Sequence, residues 1–205
     1  VSYSVTNGTA TGCAISAGKL SATSAGTCIV TATKAASGDY QSASSSATTV
    51  TFAKANQSAL SVTSLSATYG STLTLTTSGG SGAGALSYLV ANGTASGCAI
   101  AAGVLSATSA GTCLVTATLA GDTGYNAVSS ASTTVTFAKA DQATLSLSAD
   151  TTTYGSSITL AVSGGSGTGA LSFSVTNGTA TGCAVVNGVL SATSAGTCLV
   201  TATSA

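Results

Sequence analysis

Asn92-Gly93-Thr94-Ala95-Ser96-Gly97-Cys98-Ala99-Ile100, followed by Gly103-Val104-Leu105-Ser106-Ala107-Thr108-Ser109-Ala110-Gly111-Thr112-Cys113-Leu114-Val115-Thr116-Ala117-Thr118, occurs three times in near-identical form. Its cysteines fall at Cys13 and Cys28, Cys98 and Cys113, and Cys183 and Cys198, each pair offset from the next by 85 residues. A fixed period of this size marks a tandem array. Residues 1–35 match residues 171–205 at 27 of 35 positions, so the chain opens and closes inside copies of one unit. The repeats read as 1–55, lacking its opening strands; 56–140, complete; and 141–205, lacking its closing strand. Two expectations stand for the open faces this leaves. The chain is an excerpt of a longer polymer, or neighbouring chains donate the missing strands at an edge.

Working outward through the complete copy, Ser58–Ser64 alternates with Leu60 and Val62 on one face, and Tyr69-Gly70 turns the chain into Ser71–Thr77, where Leu73 and Leu75 share a face. The same alternation places Leu86, Tyr88 and Val90 together, then Cys98 with Ile100, Leu105 with Ala107, and Cys113 with Val115 and Ala117. Val135 and Phe137 close the series. Period two among β-branched residues predicts half-buried strands and does not fit a helix. About seven such strands per repeat predict an all-β, antiparallel β-sandwich. Ser78-Gly79-Gly80-Ser81-Gly82-Ala83-Gly84 reads as a connection between strands, and Asn92-Gly93 as the turn after Val90. Tyr40 and Tyr125 are expected to plug the end of each core. The junctions Phe52-Ala53-Lys54-Ala55-Asn56-Gln57 and Phe137-Ala138-Lys139-Ala140-Asp141-Gln142 hold neither Pro nor a flexible spacer, which predicts end-to-end domains with restricted bending.

Composition narrows the chemistry. Four Lys balance four Asp, and the chain has no Arg, Glu, His, Trp, Met or Pro. Without His or Glu, neither a Ser-His-Asp or Cys-His arrangement nor a paired-Glu glycosidase site can be assembled, so the expectation is a non-enzyme without cofactors. No basic cluster offers a nucleic-acid footprint. No stretch reads as a signal peptide, and no run of roughly 18 apolar residues predicts a membrane span in this segment. A neutral surface rich in hydroxyls has little charge repulsion to hold copies apart, so adjacent copies of the repeat or chain are the expected partners, in a homopolymeric or bundled assembly.

Six cysteines in one recurring spacing favour an oxidising compartment, extracellular or at the cell surface. A metal site does not fit, because the spacing is not CxxC and no His is available. Strand alternation puts both cysteines of each pair on the inward face, which suits an intradomain disulfide, with free buried thiols as the alternative.

Gly103 to Thr118 resembles the signature of bacterial immunoglobulin-like repeats, modules found in surface proteins and in adhesins of the intimin and invasin kind. The matching positions are the short strand Cys98-Ala99-Ile100 and then Ala110, Gly111, Thr112, Val115, Thr116 and Ala117. The diagnostic part covers about 20 residues of each repeat, and the paired cysteines depart from the common pattern. The resemblance implies tandem immunoglobulin-like domains in a stalk, spacer or adhesive array, and it carries no catalytic residue over.

The remaining candidates have plain alternatives. Asn7, Asn92 and Asn177, each in Asn-Gly-Thr, and Asn56 in Asn-Gln-Ser match the N-glycosylation pattern, while Asn-Gly is also a common turn. Asp39, Asp122, Asp141 and Asp150 are too few and too scattered for calcium, leaving Asp122 in a solvated loop. Lys54 and Lys139 precede Asn56 and Asp141; a Lys-Asn amide is the less favoured alternative to exposed junction lysines. Thr-rich alternation invites ice or carbohydrate binding, yet outward Thr is what a solvated strand face favours. The expected function is that of a structural repeat of a secreted or cell-surface fibre, stalk or filament with one disulfide per domain. The alternative is an adhesive module binding glycan, surface or protein.

Overall fold

The computed structural model describes residues 1–148 and 150–205. The described residues form an all-β chain of several small sheets, divided into two compact units, Val1–Ala140 and Asp141–Ala205. The first repeat contributes β1 (Ser2–Asn7), β2 (Ala14–Ser16), β3 (Lys19–Ser21), β4 (Gly26–Lys34), β5 (Ala43–Ser44) and β6 (Thr48–Phe52). The complete repeat contributes β7 (Ser61–Val62), β8 (Ser66–Thr68), β9 (Leu73–Thr74), β10 (Thr77–Ser78), β11 (Leu86–Asn92), β12 (Ala99–Ala101), β13 (Val104–Ser106), β14 (Gly111–Leu119), β15 (Val128–Ser129) and β16 (Thr133–Ala138). The second unit contains β17 (Ser146–Leu147), β18 (Ile158–Thr159), β19 (Val162–Ser163), β20 (Leu171–Asn177), β21 (Ala184–Val186), β22 (Val189–Ser191) and β23 (Cys198–Ser204).

In the complete repeat, β11-β14-β16-β8 form a five-stranded sheet with β15 also on β14, β12-β13-β9 a three-stranded sheet, and β10-β7 a separate pair. The expected strand over Ser71–Thr77 changes partner midway. Leu73 pairs with Leu105, the Leu75 amide donates to Gly103 O at 2.9 Å, and Thr77 pairs with Val62. One run of alternating residues therefore serves two sheets, with Leu75 buried at the crossing. β8 pairs with β16 in parallel, at Thr136 with Ser66 and Phe137 with Ala67, a departure from the antiparallel expectation. Alternation sets which face a side chain takes, but it does not encode the direction of the partner strand.

The inward positions meet in one core. Leu105 of the three-stranded sheet packs with Cys113, Val115, Val135 and Phe137 of the five-stranded sheet, and with Leu60, Val62 and Leu75. Thr134 and Thr136 face water, alternating with the buried Val135 and Phe137. Burying each large apolar side chain contributes about 1.5–3 kcal/mol, which is why the alternation holds on β14 and β16. The tyrosine plug is not realised. Tyr125 is only half-buried outside this cluster, and Tyr40 is 81% exposed.

Turn chemistry also differs from expectation. The strand ends at Asn92, but Gly93 is not in the left-handed region; the Gly93 amide donates to Thr112 O at 2.9 Å, and a side chain at 93 would strike the Thr112 backbone. Close approach, not turn dihedrals, explains that glycine. The two-residue hairpin turn lies instead at Ala102-Gly103, between the paired residues Ala101 and Val104, with φ values of 48° and 77°. Both central residues at positive φ define a type I′ turn, for which Asn-Gly is preferred. The third copy carries that dipeptide at this position, Asn187-Gly188, with φ of 49° and 77°.

Candidate functional site

Two features recur or connect between repeats: a disulfide-braced corner within each copy and a joint between the first two copies. The corner starts at the disulfide. Cys13–Cys28, Cys98–Cys113 and Cys183–Cys198 are bonded, with Cα separations of 5.9, 6.0 and 5.9 Å. Cys98 precedes β12 and Cys113 lies on β14, so the bond ties the three-stranded sheet to the five-stranded one across the core. Three cystines point to an oxidising environment.

Around the cystine, Asn92 accepts the Cys98 amide on Oδ1 at 2.9 Å, and the equivalent bonds form at Asn7 and Asn177. Thr94 and Thr112 exchange bonds: the Thr94 amide donates to Thr112 Oγ1 at 3.0 Å and the Thr112 amide to Thr94 Oγ1 at 2.9 Å. Thr9 with Thr27 and Thr179 with Thr197 repeat this clip. Both polar residues of each Asn-Gly-Thr triplet thus have structural tasks, because side-chain oxygens replace the ladder partners that the corner takes away.

The joint is built on Gln57, a residue to which the sequence reading assigned no role. Its Nε2 donates to Ala120 O at 3.2 Å and to Asn126 O at 2.8 Å, while Oε1 accepts the amides of Ser81 at 3.1 Å and Gly82 at 3.0 Å. A primary amide has two donors and two acceptor sites, and all four are used. Its recurrence as Gln142 in a chain with few long polar side chains was the available signal.

Asp122 organises the adjoining loop, its carboxylate on the residue next to one that Gln57 holds. Oδ2 accepts the Ala83 amide at 2.7 Å, and Oδ1 accepts those of Gly124 and Tyr125, each at 2.8 Å. These bonds, that from Ala83 first, hold the carboxyl below its usual range, aided by the charge of Lys54 and opposed by partial desolvation. Asp122 is thus a loop organiser and not a merely solvated acid.

The loop so shaped grips the preceding repeat. The Ala55 amide donates to Gly124 O at 2.8 Å, the Asn126 amide to Ala55 O at 2.9 Å, and the Ala25 amide of the first repeat to Thr123 O at 3.1 Å. Asn126 Nδ2 also donates to Asn56 Oδ1 at 3.0 Å, placing that glycosylation candidate inside the joint. Lys54 and Lys139 are exposed. Among the described residues, no group of three or more His, Cys, Asp or Glu is placed to hold a metal, and no helix is long and apolar enough to cross a membrane.

No family model, no curated protein and no solved structure matches this chain.

Proposed function

We propose that the chain is a structural segment of a secreted or cell-surface fibre, stalk or filament, made of immunoglobulin-like repeats each braced by one disulfide. The joint between the first two repeats carries this reading. A flexible array needs only a tether between domains. Here the linker residues Ala55, Asn56 and Gln57 are instead held by backbone and side-chain bonds to the following repeat, and the body of the first repeat is bonded to the same loop. Such a linker resists bending, the mechanical property a spacer needs.

The cystine adds resistance to extension within each repeat, since it joins the two sheets and leaves only the chain outside its 15-residue separation free to lengthen. The same reading makes the chain non-catalytic and places it outside the cell. The repeat signature from Gly103 to Thr118, which resembles bacterial immunoglobulin-like modules, agrees with it.

Hydrogen exchange tests the joint directly. The Ala55 and Asn126 amides are expected to exchange as slowly as those of β11, and Gln57→Ala to release both without unfolding β14. Fast exchange of both amides in the unaltered chain, together with specific binding in a glycan screen, would replace the spacer reading with the adhesive one.

A further inference from the structure

The loop that grips the first repeat does so through two neighbouring peptide groups. Thr123 O accepts the Ala25 amide at 3.1 Å, and Gly124 O accepts that of Ala55 at 2.8 Å. A trans peptide is planar, with its N–H and C=O pointing opposite ways. The N–H on the far side of the Thr123 carbonyl is that of Gly124, and the one behind the Gly124 carbonyl is that of Tyr125. Both of these N–H groups donate to one atom, Asp122 Oδ1, at 2.8 Å each. A single carboxylate oxygen therefore aims both carbonyls that bond the first repeat. Its charge also strengthens them, because an ionised acceptor on the N–H side polarises the peptide toward its C=O.

The second oxygen anchors this arrangement to the body of the complete repeat, with Oδ2 accepting the Ala83 amide at 2.7 Å. Three N–H donors thus converge on two oxygens, which suits an acceptor-only carboxylate. A neutral carboxyl brings a proton of its own into that crowd and is the weaker acceptor. The corresponding loop of the first repeat has Ser37 in place of Asp122, and there the Tyr40 amide donates to Ser37 O at 3.1 Å. The same turn therefore closes on its own backbone where no carboxylate takes the tyrosine amide. The core is not involved, since residues 121–126 lie outside the cluster that holds Val115 and Phe137.

We propose that Asp122 is an acid-operated release for the joint between the first two repeats. Ionised, it holds the two peptide groups in the orientation that bonds Ala25 and Ala55. Protonated, it lets them turn away, and the first repeat loses its bonds to the loop while both repeats stay folded. Among the segments packed on the carboxylate, the linker brings Lys54, the loop itself brings Tyr125, and the stretch 78–84 brings no titratable group. The amides of Ala83, Gly124 and Tyr125, in that order, hold the carboxyl below its usual range; desolvation opposes them and the Lys54 charge adds to them. The joint is therefore closed throughout the ordinary carboxylate range and above it, and opens as pH falls through the depressed value. The inference rests on the spacer reading and makes the stiffness of that spacer conditional on pH.

Amide hydrogen exchange on the full, oxidised chain tests it, read by NMR as protection relative to an unstructured peptide at the same pH. In the unaltered chain the Ala25 and Ala55 amides are expected to stay protected down through the ordinary carboxylate range. Below it they are expected to lose protection together with Gly124 and Tyr125, while Val115 in β14 keeps its own. Asp122→Asn is expected to leave Ala25 and Ala55 unprotected already at neutral pH, with no further change in acid. Lys54→Gln, at an exposed side chain, is expected to move the release to higher pH. Ala25 and Ala55 amides that remain protected after Gly124 and Tyr125 have lost protection, or that remain protected in Asp122→Asn, overturn the proposal and leave the spacer reading standing. Loss of Val115 protection in the same step also overturns it, because the event is then unfolding of the repeat. An Ala55 amide unprotected at every pH in the unaltered chain removes the spacer reading itself, and the release with it.

Discussion

Ala102 illustrates what single residues contribute. Left-handed backbone costs a residue with a Cβ roughly 1–2 kcal/mol, and Asn tolerates it by local hydrogen bonding. Ala102→Asn, the residue the third copy already uses at Asn187, is therefore expected to raise stability by about 1 kcal/mol in denaturant unfolding. Ser130 presents the opposite case. Its buried hydroxyl accepts the Ala117 amide at 3.0 Å and donates to Ala131 O at 2.8 Å where β15 gives way to β16. Ser130→Ala strands a buried N–H, so a loss of about 1–3 kcal/mol is expected, whereas Thr134→Ala on the water-facing side of β16 should change little. Asp122 sets the pH response. Its pKa is lowered in the folded state, so its contribution is present above the ordinary carboxylate range and is lost as pH falls through the depressed value. The Ala83 and Tyr125 amides should gain exchange rate only as pH falls through that depressed value, below the ordinary carboxylate range, and Asp122→Asn should remove that dependence. The Asn187-Gly188 of the third copy is the sequence signal for the turn at Ala102, a signal passed over in favour of Asn92-Gly93; Ser130 and Asp122 owe their roles to amides brought to them by folding.

At the scale of elements, the cystine connects strands that share no hydrogen bonds. Closing a 15-residue loop in the unfolded chain is worth about 3 kcal/mol in the chain-entropy account. Reduction is expected to lower the melting temperature while leaving the β-sheet circular dichroism intact at low temperature; identical melting with and without reductant sinks the brace. Strand faces were legible from alternation, as at Val135 and Phe137. Strand partners were not. Leu73 and Thr77 belong to one alternating run yet pair with Leu105 and Val62 in different sheets, and β8 joins β16 in parallel. Those choices depend on which distant edge is free, a property of the assembled repeat.

For the molecule as a whole, the complete repeat gathers its inward residues from β7 to β16 into one sealed core at residues 56–140. Phe137→Ala in that core is expected to cost about 3–5 kcal/mol in urea melts, because Phe137 is 1% exposed among residues of both sheets. The joint is the other whole-molecule property, since Gln57 reaches carbonyls 63 and 69 residues away.

The sequence by itself determined the 85-residue period, the all-β content, the inward faces of the strands and the spacing that lets each cysteine pair meet. All of these are local or periodic quantities, written in side chains a few residues apart or in the offset between copies. Only the tertiary structure decided that a cystine ties sheet to sheet, that Asn92-Gly93 forms a close-packed corner, and that Gln57 and Asp122 hold the linker. The physical reason is common to all three. Each depends on backbone N–H and C=O groups that every residue carries alike, so their pairing is invisible until the chain has brought distant segments together.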